Sequence, residues 1–431
     1  MRIEACYDSH LHWPALGEFA QRLSLRELKS PSEVCELKPE PHHFRGEWLI
    51  GFGYDDNRWS EKPHRRILDQ WIPEKPVALT RCDGHALWLN TEALRRAEQA
   101  GLKNLRGGEI QRDAQGEATG IVVDKACEAV EALIPAVTGF EMRRHLLKAV
   151  QMLNEAGFTH VRDMTCDQVQ WNEAVRLDQS GLLTLAVEEY FWLKDIADLD
   201  PVLDLAKRAR AQKCSRLRVR GLKLFLDGAL GSQGAWLSHP YHGTHESGLV
   251  LWEDAAMREA IQKTWENGFE VAVHVIGDAA ADHLTDLALE LKARGVVGPL
   301  HFEHAELVRE STIEKMRGLN VTCHLQPSHW LSDHHWLSQK VGDLSACAFP
   351  WRKLQEAEIP FHFGSDAPIE PARVALTLQA LEQSAEKGIP RLLGDPTTYM
   401  RHPDLSWVPN CYTLFENNIP KQVVFAGEHL L

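Results

Sequence analysis

No Cys-x-x-Cys pair occurs in the sequence; its nine cysteines are scattered and odd in number. That pattern argues against a disulfide framework or a thiolate zinc knuckle and suits a reducing compartment. No apolar run approaches the roughly 20 residues needed to span a bilayer. The N-terminal residues carry no apolar core of signal-peptide length. A cytoplasmic protein with no membrane partner is therefore expected. Excess positive charge is missing too. The formal net charge is -14, and a general nucleic-acid binder would want a basic stripe. No Gly-x-Gly-x-x-Gly turn follows the first strand-like stretch, which leaves a doubly wound open sheet without its main support.

What is present is ordinary for a soluble globular enzyme: 431 residues, 44% of them hydrophobic and 25% charged. The length suits one large barrel or two to three domains. Tryptophan and histidine stand out, with 14 and 22 copies. Trp13, Trp48, Trp59, Trp71 and Trp88 crowd the first quarter, where they either line a pocket or form core. Several histidines end apolar runs. Residues 2–13 read as a strand that closes on His10-Leu11-His12. Side chains two apart on a strand share a face, so this pair can offer two imidazoles to one cation. Alone, such a pair is most often a surface accident.

Downstream the pattern becomes regular. A helical segment is expected over 16–29, then a loop rich in Pro and Glu. Residues 47–123 are irregular, with many Trp, Gly and Arg, and read as a small insert. Apolar residues at helical spacing over 140–156 are closed by Gly157, a helix stop. Strand-like stretches follow at 157–164, 183–192, 217–226, 270–276, 299–304, 320–326 and 360–366, with helical segments between most of them. Counting the first stretch, that makes eight strands. Strands alternating with helices point to a parallel sheet, and eight of them to a (β/α)8 barrel. The expected division is 1–46 for the first strand and helix, 47–125 for an insert over the barrel mouth, 126–415 for the rest of the barrel, and 416–431 for a remnant strand or tail.

In a barrel, functional residues sit at the C-terminal ends of strands. His10 and His12 end the first strand, Lys223 lies near the end of the fourth, His274 ends the fifth, His304 the sixth and Asp366 the eighth. Parity expects Ala272 with His274, Phe302 with His304, and Gly364 with Asp366 on common faces. Val271, Val273 and Val275 would then meet the outer helices. Singly, each candidate has a bland reading: a satisfied polar His, a Lys snorkelling to water, an Asp that forms a turn. Jointly, four imidazoles and a carboxylate at one mouth suit zinc or a similar divalent ion.

These residues resemble the metal ligands of the amidohydrolase superfamily, and the surrounding words resemble its YtcJ-like branch. They are Pro76-Val77 through Asp83-Gly84-His85-Ala86 to Asn90-Thr91-Glu92-Ala93-Leu94; Gly107-Gly108-Glu109-Ile110; Gly221-Leu222-Lys223-Leu224-Phe225-Leu226-Asp227-Gly228-Ala229-Leu230-Gly231-Ser232; His274-Val275-Ile276-Gly277-Asp278; Glu303-His304-Ala305; Gln326-Pro327; and Gly364-Ser365-Asp366-Ala367-Pro368. The resemblance covers about residues 5–385.

The resemblance implies that His10, His12 and Asp366 hold the more buried metal and His274 and His304 the second. Lys223 would bridge them as a carboxylated lysine. An ammonium would repel two cations, but a desolvated lysine loses its proton readily. A metal-activated hydroxide would attack a carbonyl carbon, and Asp366 would carry the proton to the leaving nitrogen. His85, Asp227 and Gln326 would face substrate or support the ligands. One or two divalent ions are expected, with zinc favoured, although the same ligands accept iron, manganese or nickel. The implied function is hydrolysis of a C–N bond in a small amide, N-acyl or cyclic amide substrate.

Two other readings fit the sequence less well. Deamination of a nucleobase-like ring would go with a helical His-x-x-Glu and no bridging lysine, and the sequence has the opposite. A metal-binding protein without catalysis would have lost Asp366. Relatives flank the barrel with a β-sandwich built from both chain ends. Here the first strand starts almost at once, so at most a remnant strand is expected. A homo-oligomer is compatible with the sequence.

Overall fold

The computed structural model describes residues 1–56, 59–82, 86–102 and 108–431, with the backbone alone at 108, 124 and 125. Asp83, Gly84 and His85 lie outside the described residues. The chain forms two compact units: Met1–Gly17 with Met142–Leu431, and Glu18–Glu141.

The first unit is an α/β barrel. Its eight strands are Tyr7–Leu11, His160–Cys166, Ala186–Trp192, Leu217–Phe225, Glu270–Val275, Leu300–His304, Val321–Leu325 and Phe361–Phe363. Each pairs in parallel with the next. The seam between eighth and first is closed just beyond the eighth strand. Asp366 N–H donates to His10 O, and His12 N–H to Ala367 O, both at 2.8 Å. Ser365 N–H adds a bond to Asp8 Oδ1 at 2.9 Å. Gly364 permits this approach: a Cβ there would stand 2.6 Å from His10 N.

Helices follow the strands where the apolar spacing expects them. Gly139–Glu155 ends before Gly157, whose φ of +95° only glycine adopts readily. Asp278–Ala293 is built from Ala and Leu, strong helix formers. Val271, Val273 and Val275 are fully buried. The lower barrel interior, by contrast, is ionic. Tyr190 Oη donates to Glu270 Oε2 at 2.5 Å, and Tyr7 Oη to Glu188 Oε2 at 3.1 Å. Arg220 Nη2 lies 2.5 Å from Glu270 Oε1.

Three sequence expectations change here. The stretch 2–13 is two strands, because Ala5 takes a φ of +42° and breaks the extended run. Arg2–Glu4 leaves the barrel and pairs antiparallel with Tyr412–Glu416. With Ile419–Phe425 and Glu428–His429 it forms a four-stranded sheet in place of a lone remnant strand. Two-residue turns join its hairpins, with positive φ at Asn417 and Asn418 and at Ala426 and Gly427. The helix expected over 16–29 spans only Trp13–Phe19. Leu23–Ser24 instead pairs in parallel with Trp48–Tyr54, a long-range contact that overrides local propensity.

The second unit carries a mixed sheet of seven strands. Along it run Leu23–Ser24, Trp48–Tyr54, Val77–Arg81, Ala86–Leu89, Ala118–Asp124 and Gly108–Arg112, and Phe44–Arg45 pairs with Trp48–Tyr54. Helices Arg65–Trp71, Thr91–Gln99 and Lys125–Glu131 belong to it. Its tryptophans serve as core: Trp48, Trp59 and Trp88 are buried, and Tyr54, Trp59 and Trp88 pack ring against ring at 5.7–6.1 Å. Residues 47–125 all fall within this unit. Among the described residues, no helix is long and apolar enough to cross a membrane.

Candidate active site

The barrel's C-terminal end holds a cavity of about 400 Å³ lined by His10, His12, His274, His304 and Asp366. Asp366 Oδ1 lies 3.3 Å from His10 Nε2 and 3.2 Å from His12 Nε2. The His304 ring is 4.6 Å from that of His10 and 4.5 Å from that of His274. Ligand atoms of His10, His304 and Asp366 all fall within 4.8 Å of one another. Lys223 is fully buried in the fourth strand.

Backbone conformation aims two of these side chains. His304 and Asp366 have φ of +73° and +59°, a region that non-glycine residues rarely visit. Each costs roughly 1–3 kcal/mol, which the surrounding barrel must offset. The left-handed step at His304 changes the expected parity. His301 and Glu303 both face the barrel interior, where they bond His324 and His10. His304, one residue on, is then turned in toward the same mouth.

Each histidine is oriented through its other nitrogen. His10 Nδ1–H donates to Glu303 Oε2 at 2.6 Å and His304 Nδ1–H to Gln326 Oε1 at 2.9 Å. His12 Nδ1 is 3.2 Å from Thr165 Oγ1, and His274 Nε2 is 3.4 Å from Gly228 O. Asp227 braces the turn after the fifth strand. It accepts from Ile276, Gly277 and Trp236 N–H at 3.0, 2.8 and 2.9 Å.

The electrostatics suit a cation. Burial and Lys223 push His274 down to about 3, and burial with its neighbouring imidazoles holds His304 well below its ordinary value. Burial opposes ionisation of Asp366, yet the His10 and His12 imidazoles beside it hold its carboxyl well below the usual range. Burial pushes Lys223 down to about 8. Neutral imidazoles beside an ionised carboxylate are a ligand set. Moreover, His10 Nε2, Asp366 Oδ1 and Lys223 Nζ are buried without hydrogen-bond partners. An orphaned buried polar group costs about 1–3 kcal/mol, and a divalent ion among them would remove that penalty. The residues therefore fit such an ion.

Four residues of this region escaped sequence reasoning. His329 Nδ1–H donates to Glu306 Oε1 at 2.9 Å, and its Nε2 stands 3.8 Å from Asp366 Oδ2. The signal was proximity to known words: Glu306 lies two residues after His304, and His329 three after Gln326. Glu303 stood inside a quoted motif, unassigned. Arg162, 3.0 Å from Glu303, gave no signal.

A closed (β/α)8 barrel with imidazoles and a carboxylate gathered at its mouth is the architecture of a barrel enzyme with a cation site. The amidohydrolase family model matches residues 6–398, and the chain belongs to that family. It is 28% identical over 382 residues to the putative amidohydrolase YtcJ of Bacillus subtilis, covering 86% of this chain and 71% of that protein. It is 24% identical over 405 residues to the N-substituted formamide deformylase of Arthrobacter pascens, covering 88% and 72%. An uncharacterized metal-dependent hydrolase from Pyrococcus furiosus matches its structure with a TM-score of 0.74 at 29% identity, over 93% of this chain and 79% of that one.

Proposed function

We propose that this chain is a metal-dependent hydrolase of a C–N bond in a small amide, and that N-acyl, N-formyl or cyclic amides are its substrates. The observation that carries this is Asp366. One carboxylate oxygen lies within 3.3 Å of two imidazole nitrogens, and the other is 3.8 Å from His329 Nε2. His10, His12 and Asp366 would hold one divalent ion, zinc by preference, and His274 and His304 a second. Lys223, deprotonated in its buried position, would add carbon dioxide at Nζ and lie between them as a carbamate. When bound, such ions acidify water and polarise a carbonyl.

The remaining steps belong to the chain. Asp366 takes the proton of the attacking water and delivers it to the departing nitrogen. Gln326 and Glu303 keep His304 and His10 in the tautomer that frees Nε2. Phe225, Leu230, Ile276 and Ile369 give the cavity an apolar wall for the substrate's hydrocarbon part. The likeness to an N-substituted formamide deformylase puts N-formyl amines first among substrates to try. The test is amine release from a panel of N-formyl and N-acyl amines by protein of measured metal content. No turnover of any member by protein carrying one or two equivalents would sink the reading.

A further inference from the structure

Five histidines line the cavity, and the four that are candidate ligands each meet a different group on the other nitrogen: a hydroxyl for His12, an amide oxygen for His304, a backbone carbonyl for His274 and a carboxylate for His10. Of the four, only His10 is within hydrogen-bond distance of a carboxylate there, and that contact is the shortest, at 2.6 Å. Glu303, which supplies it, has no exposed surface. An ionised carboxylate in that position is costly unless it is paired.

The pairing comes from Arg162 on the second strand, itself 1% exposed. Its Nη2 is 3.0 Å from Glu303 Oε1. Its Nη1–H donates to Ser9 O at 3.0 Å, and its guanidinium lies 4.3 Å from the centre of the Tyr190 ring. The arginine is thus fixed by the first strand's backbone and the third strand's aromatic. It in turn fixes the glutamate, and the glutamate fixes the imidazole. A carboxylate on Nδ1–H keeps the Nε2 lone pair free and raises the basicity of the ring. Neutral acceptors do the first of these and little of the second.

We propose that Glu303, held by Arg162, is the positioning residue for His10, and that it makes the His10–His12–Asp366 corner the tighter of the two cation sites. This rests on the metal-dependent reading above. The test uses the full chain stripped with a chelator and titrated with cobalt(II), followed by its d–d absorption. Glu303→Gln should weaken the first equivalent about 10–100-fold and leave the second unchanged. Thr165→Val, which removes the neutral acceptor from His12, should do less. Thermal unfolding of each variant reports folding separately.

A measurement on the native chain stands apart from any variant's folding. Long-range ¹H–¹⁵N spectra of metal-free protein labelled at histidine should show His10, assigned by its loss in His10→Asn, with the proton on Nδ1. A proton on Nε2, or wild-type affinity for the first equivalent in Glu303→Gln, overturns the inference. If the native chain binds no cobalt, the metal-dependent reading itself fails.

Discussion

Asp366 and His10 are joined twice. The Asp366 amide donates to the His10 carbonyl at 2.8 Å, and Asp366 Oδ1 stands 3.3 Å from His10 Nε2. One of the hydrogen bonds that close the barrel and the contact that gathers the candidate ligands are thus made by the same two residues. Asp366→Asn keeps the backbone bond and a weaker oxygen but removes the base. Turnover should fall about 10²–10⁴-fold with most of the metal retained, and the acidic limb of the pH–rate profile should vanish. Turnover of an N-formyl amine together with elemental analysis checks this.

Lys223→Ala takes away the buried amine proposed to carry the carbamate. Metal affinity should drop at least about tenfold, and short carboxylic acids with bicarbonate should restore part of the activity. Metal content by elemental analysis is the readout. A carbamate carbon in ¹³C spectra of native protein incubated with labelled bicarbonate is the second expected result.

Gln326→Leu leaves His304 Nδ1–H without its acceptor at 2.9 Å. The ring is then free to carry its proton on either nitrogen. Loss of such a partner weakens metal binding about 10–100-fold. Competition for zinc against a chromophoric chelator measures it, while thermal unfolding should show the fold intact.

The ionic layer below the site sets an acid limit. Burial opposes the Glu270 charge, but His301, Arg220 and Tyr190 outweigh it and hold the carboxyl down to about 2, from 4.5. Because the folded value is the lower one, its stabilisation is complete above about 4.5 and disappears as pH falls toward about 2. The thermal midpoint should decline across that window. Glu270→Gln should be less stable at neutral pH by on the order of 3 kcal/mol and lose less on acidification.

The barrel was legible because its signals are local: apolar runs of strand length, helices closed by glycines such as Gly157, and polar residues at strand ends. The histidines, Lys223 and Asp366 stood out for the same reason. What stayed hidden depends on distant partners or on single backbone angles. Leu23 pairs beside Gly51, so its strand could not be read from residues 16–29. Ala5 bends the first stretch in two through one positive φ. Left-handed steps at His304 and Asp366 break the two-residue period on which parity depends, so Glu303 was not recognised as facing His10. Arg162 reads as any charged residue in a strand until Glu303 is set opposite it.

The seam between the first and eighth strands also fixes an order of events during synthesis. The bond from Ser365 N–H to Asp8 Oδ1 spans 357 positions. At about 5–20 residues per second, the first strand waits roughly 20–70 s for its neighbour to be made. Through that interval His10 and His12 are two imidazoles on an unclosed ribbon, without Asp366 to complete the set. The gathering of His10, His12 and Asp366 into one corner therefore follows the closing of the seam and cannot precede the making of the last barrel strand.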